Sequence, residues 1–189
     1  MKNKHYIIAL LLFVFITSFI SQSNNDVILW NKNYMLTWND FKGKEDIDKD
    51  NTIAMSAVGI EIDKFTFNKK IGTTKVVAVF ECKNSWTNTK SNTAGLKHEQ
   101  GHFDITEIYA RKLRKRLNNK RFKKSNVSKE LEMAYNEIEQ AKNDYQSLYD
   151  KETEHHKNFA KQLEWNAKIE RELQELDKYS NPEIIIKLK

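Results

Sequence analysis

One change of hydrophobic period, near Trp86, constrains the fold of this chain more than any other feature of its sequence. Before it, β-branched and aromatic residues recur in short runs: Val27-Ile28-Leu29-Trp30, Met35-Leu36-Thr37-Trp38, Ile53 to Phe67 and Thr74 to Cys82. Val58, Ile60 and Ile62 alternate with Gly59, Glu61 and Asp63, the period of two that a half-buried antiparallel strand requires. Lys42 to Thr52 is polar and acidic and reads as a loop. After Trp86 the period lengthens to that of a helix. Ser91, Asn92 or Thr93 can cap a first helix that runs to about Asn118. A second begins near Ser128, with Leu131, Ala134, Ile138, Ala141, Tyr145 and Leu148 as its apolar stripe. A third runs from about Lys157 to Tyr179 through Phe159, Leu163, Ile169, Leu173 and Leu176, with Pro182 beyond it. The expected class is α+β, an N-terminal antiparallel sheet followed by three long helices. Glu183 to Lys189, with three consecutive isoleucines, is compatible with an edge strand or with a cover over a groove.

The first 22 residues read as a signal peptide. Lys2 and Lys4 precede an uncharged, mostly apolar run from Tyr6 to Ile20, and Ser21, Gln22 and Ser23 follow. The run falls short of the ~20 residues that a membrane-spanning helix needs, so a cleaved signal is favoured over an uncleaved anchor. The expected product is secreted or periplasmic, with residues 23–189 forming one domain. That segment is long enough for a core of its own, and with 5 Gly and 1 Pro in the whole chain it is rich in regular structure. The lone cysteine, Cys82, excludes an intrachain disulfide and reads as a small buried hydrophobe within its strand.

The chemistry centres on His98-Glu99-Gln100-Gly101-His102, an H-E-x-x-H within the first helix. Residues four apart are turned by about 400°, so both imidazoles leave the same face and can share one tetrahedral ion. Glu99 stands on the flank of that face, where its carboxylate can act as a base toward water without itself becoming a ligand. A pattern this short also arises by accident. The other histidines strengthen it, because outside the signal the only further ones are His155 and His156, adjacent to each other where the second helix gives way to the third.

A catalytic zinc site takes three protein ligands. Glu107 stands about 140° around the helix from His102 and about 180° from His98, so it faces away. The third ligand is therefore expected at His155, with Asp150 as the main competitor and His156 a further alternative. Tyr149 is a candidate donor to a developing oxyanion, although its place beside Tyr145 and Leu148 favours a core reading. Asp104 reads either as an acceptor that orients a histidine or as a solvated helix residue. Trp30, Trp38, Trp86 and Trp165 read as packing residues.

Leu36-Thr37-Trp38 with Phe41 and Gly43, Ser85-Trp86, His98-Glu99-Gln100 with His102-Phe103-Asp104-Ile105, Glu107 and Ala110-Arg111, and Tyr149-Asp150 with Thr153 and His155 resemble a bacterial family of unknown function described as predicted secreted zinc-dependent proteases. The resemblance spans most of the chain after the signal. It implies zinc on His98 and His102, Glu99 as the base, a zincin-like active-site helix, export, a peptide or protein substrate, and special roles for Tyr149, Asp150, Thr153 and His155. The chain departs from the family's pattern at His156, where glycine is usual.

Nine basic residues and no acid lie between Arg111 and Lys124, and they exceed the whole chain's net charge of +6, so the remainder is net acidic. An exported protein meets anionic envelope polymers and lipid first, so this stretch is a candidate for weak association with such a surface. Nucleic acid is not expected as a partner, because only Phe122 interrupts the basic run with an aromatic and the chain reads as exported. The alternative to an enzyme is a non-catalytic envelope-binding protein whose zinc is structural or vestigial.

Overall fold

The computed structural model of the chain describes residues 26–45, 52–64, 66–68 and 71–189. The expected signal peptide lies outside them. Mixed sheets and three helices make up the α+β architecture.

Strand β5 (Ile71–Glu81) organises the sheet. Its C-terminal half pairs antiparallel with β1 (Val27–Leu29) and β3 (Val58–Ile62), and its N-terminal half with β4 (Thr66–Asn68) and β8 (Glu183–Leu188). Strand β7 (Arg121–Phe122) adds to β8 in parallel. A separate ladder joins β2 (Ala54–Met55) to β6 (Trp86–Thr87). The side chains of Val76, Ala78 and Phe80 alternate into the core, as a pleated strand demands. The same rule resolves the three C-terminal isoleucines. Ile184 and Ile186 point inward with Leu188, Ile185 points out, and the segment is a strand.

Helix α1 (Thr93–Asn118) packs against β5, β3 and β8 on one side and against α2 (Val127–Thr153) and α3 (Phe159–Glu175) on the other. Packed between the sheet and two helices, it buries polar residues as well as apolar ones, and each buried polar group then needs a partner. Asn92 caps it, accepting from the Gly95 amide at 2.8 Å. The Glu107 carboxylate faces away from the histidines, as expected, and accepts from Arg111 Nε at 2.8 Å and from Arg114 Nη1 at 2.8 Å. Arg114 Nε also donates to the Val76 carbonyl and Arg111 Nη1 to that of Leu173, which ties α1 to the sheet and to α3. Cys82 is buried, and burial pushes its thiol up from the ordinary value.

Three expectations need correction. Met35–Trp38 is not a strand. Leu36 and Trp38 are buried, but the Leu36 amide donates to Gln100 Oε1 at 2.8 Å and the chain closes into a 3-10 turn at Trp38–Asp40, so the apolar alternation reflects docking on α1. On α2, Ala141 and Leu148 are exposed, and Tyr149 and Thr153 extend the buried line from Leu131 and Ala134. On α3, Phe159 and Leu163 are exposed while Gln162, Trp165 and Ile169 are buried. A polar residue takes the inward position on α3 because a histidine of α1 needs it.

Candidate metal centre

Two local features bring α2 onto the motif face of α1. The first is Gly101, where an added Cβ would stand 2.3 Å from the Tyr149 hydroxyl oxygen and 2.8 Å from its Cζ. Only a residue without a side chain admits that ring. Tyr149 then stacks on His98 with ring centroids 4.5 Å apart and planes 14° from parallel. The second is the end of α2. Glu154, His155 and His156 have φ of 50°, 49° and 73°, three successive left-handed residues that reverse the chain into α3. The left-handed φ at His156 is a conformation that glycine adopts without steric cost.

The result is a triangle of ligand atoms. Asp150 Oδ1 lies 3.0 Å from His98 Nε2 and 2.9 Å from His102 Nε2, and the two Nε2 atoms are 3.2 Å apart. Three ligands of one tetrahedral ion at ~2.0–2.1 Å stand roughly 3.3–3.4 Å apart, so this donor set fits a single metal ion closely. Its chemistry fits as well. A carboxylate oxygen and two ring nitrogens converge on one point, and all three are electron-pair donors. Positive charge is required between them, whether from protons or from a metal cation. Burial alone would lower the His102 imidazole, but the Asp150 hydrogen bond, the charges of Glu99 and Asp150 and the Gln146 amide raise it above its ordinary value. Burial would raise Asp150, yet the hydrogen bonds from His102 and His98 hold its carboxyl well below the usual carboxylate range.

Glu99 is buried on the flank, and Ser56, between β2 and β3, donates to its Oε2 at 2.6 Å. His155 Nδ1 stands 3.5 Å from Asp150 Oδ1, and ligand atoms of His98, Asp150 and His155 all lie within 4.8 Å of one another, so the expected third ligand reaches the rim of the triangle from an exposed position. His156 is engaged elsewhere. Asn92 uses its oxygen on the helix cap, so its amide nitrogen donates to His156 Nε2 at 3.3 Å, and burial with the nearby positive charge lowers the His156 imidazole.

The Tyr149 hydroxyl is fully buried, donates to the His98 carbonyl at 3.1 Å and accepts from Gln162 Nε2 at 2.7 Å. Its single proton is committed inside the protein. Asp104 is held as an acceptor, but of Trp30 Nε1 and Gln100 Nε2, both at 2.9 Å, and not of a histidine. Of the nine basic residues, Arg111 and Arg114 pair with Glu107, Lys112 with Glu172, Arg116 with Glu137 and Lys120 with Glu130. Much of that positive charge is therefore neutralised locally.

Sequence reasoning missed Ser56, Gly101, Gln146 and Gln162. The signal for Gln162 was present, since 162, 165 and 169 share a helix face and a glutamine on an apolar face asks for a buried partner. Gln146 falls on the corresponding α2 line with Tyr149 and Thr153. Ser56 carried no signal, because its role depends on a strand packing beside α1.

No curated protein and no solved structure matches the chain significantly. Residues 71–157, from β5 through the turn that carries His155 and His156, match the family described as a bacterial protein of unknown function (DUF922).

Proposed function

We propose that this chain is an exported zinc-dependent hydrolase, most simply a peptidase, in which His98, His102 and Asp150 hold the metal and Glu99 is the base. The observation that carries the reading is the convergence of three electron-pair donors from two helices within 2.9–3.2 Å of one another. A zinc ion held by these residues would supply a Lewis acid able to bring the pKa of water to about 7. Glu99 accepts the proton at its carboxylate, and the Ser56 hydroxyl on Oε2 orients that group. Tyr149 supports His98 by stacking, with its proton held by the His98 carbonyl. Peptide as the substrate rests on the family resemblance and on the choice of a water-activating motif. Lys115, Arg121, Lys123 and Lys124 remain exposed for weak contact with an anionic envelope surface.

One zinc per folded chain without residues 1–22 is the expected result of metal analysis. Glu99→Gln should retain that zinc and lose hydrolysis of a broad peptide library. Wild-type rates from that variant would remove Glu99 from the mechanism. A second reading is favoured by His155, which lies near enough to close the site with a fourth ligand and so make the metal structural. X-ray absorption that counts ligands separates the two.

A further inference from the structure

We propose that Gln146 and Gln162 are positioning residues that hold both motif histidines in the tautomer with the proton on Nδ1. The inference deepens the metal reading and rests on it only for its consequence.

A backbone carbonyl can only accept. Thr106 Oγ1 lies 2.9 Å from the His102 carbonyl, so the hydroxyl donates there. Its oxygen is then left to accept, and it receives Gln146 Nε2 at 3.1 Å. That orients the glutamine with Oε1 toward His102 Nδ1, 2.7 Å away. Two acceptors cannot share a hydrogen bond, so His102 Nδ1 carries a proton, and Nε2, toward Asp150, is the nitrogen that can release one to a metal.

The second histidine repeats the construction with different residues. The Tyr149 hydroxyl donates to the His98 carbonyl and accepts from Gln162 Nε2. Gln162 Nε2 also donates to Asn166 Oδ1 at 2.9 Å, which holds the same amide orientation. Oε1 is thereby aimed at His98 Nδ1, at 3.1 Å. Thr153 Oγ1 gives its proton to the Tyr149 carbonyl at 2.7 Å and presents only lone pairs to the same Nδ1 at 3.4 Å. Each imidazole is thus set by a loop that closes on its own residue's carbonyl, through a hydroxyl and a glutamine. The opposite tautomers require Thr106 and Tyr149 to give up those carbonyls. They also put an Nε2 proton where a metal would bind.

The test starts with the metal-free protein. Ring 15N spectra should show a proton on Nδ1 of both His98 and His102, and an unprotonated Nδ1 on either would overturn the assignment. Gln146→Leu should weaken zinc binding 10–100-fold with the fold unchanged, the range seen when such supporting partners are lost. Gln146→Glu keeps an acceptor on Nδ1 and should bind zinc at least as tightly as the wild type. Wild-type affinity in Gln146→Leu refutes the role, and Gln162→Leu gives the parallel test at His98 if it folds. A wild-type chain with both Nδ1 protons but no zinc uptake supports the tautomers and sinks the metal reading.

Discussion

Replacing Gly101 by alanine probes the contact on which the geometry of the centre depends. On an isolated helix the change would be favourable, since alanine exceeds glycine by about 1 kcal/mol in a helix interior. Here the new Cβ meets the Tyr149 hydroxyl oxygen at 2.3 Å and Cζ at 2.8 Å, roughly 1 Å inside ordinary contact. The ring has no room to yield, being stacked on His98 and packed edge-on against Trp165 at 5.3 Å. Relief must come from separating α1 and α2. That overpacking costs about 1–3 kcal/mol. Loss of the two Tyr149 hydrogen bonds adds about 1 kcal/mol each. Net of helix propensity, the variant should be about 2–4 kcal/mol less stable and melt roughly 5–15 °C lower. Because Tyr149 and Asp150 are neighbours, the same separation draws Asp150 off the imidazoles, and zinc affinity should fall more than tenfold. Denaturant unfolding and zinc titration read the two effects. Gly59→Ala is the control, since its Cβ would meet Val79 at an ordinary 3.8 Å. A Gly101→Ala protein as stable as the wild type, with undiminished zinc affinity, would refute the close approach of α2.

Glu107→Ala leaves Arg111 and Arg114 buried without their shared carboxylate, and denaturant unfolding should show a loss of about 3–5 kcal/mol. Asp150→Asn should reduce zinc affinity more than His155→Ala does, as measured by competition with a chelator, and the reverse order would return the third position to His155. The two states of the centre should respond to pH with opposite sign. His102 is raised in the folded chain, so it stabilises the metal-free protein fully below the unfolded value of about 6.5, and that contribution disappears as pH rises through the folded value. Zinc must displace that proton, so zinc-loaded protein should gain melting temperature between about pH 6 and pH 8 while chelated protein loses it. Parallel trends with and without zinc would contradict the coupling.

The histidine pair, the flanking glutamate and the change of period at Trp86 were legible because each follows from local geometry. Residues four apart share a helix face whatever the helix packs against, and alternation marks a strand wherever its partner lies. Helix boundaries were read nearly as closely: Asn92 was among the expected caps, and α1 ends at Asn118 as the periodicity indicates. Stripes with spacings of three and four were less informative. Such a stripe can continue along more than one diagonal, and only the neighbouring helix decides which. Leu148 and Leu163 faced outward for that reason, while Tyr149 and Gln162 faced in.

By itself, then, the sequence determined the α+β order of elements and placed two imidazoles and a carboxylate on one surface of one helix, because backbone periodicity is a local property. Only the tertiary structure decided what meets that surface. Asp150 reaches both imidazoles because Gly101 lets α2 approach, and Gln146, Gln162 and Ser56 arrive from three different elements. Those contacts span 43 to 64 residues of chain. Their geometry is set by how helices and strands fill space together, which no local period records.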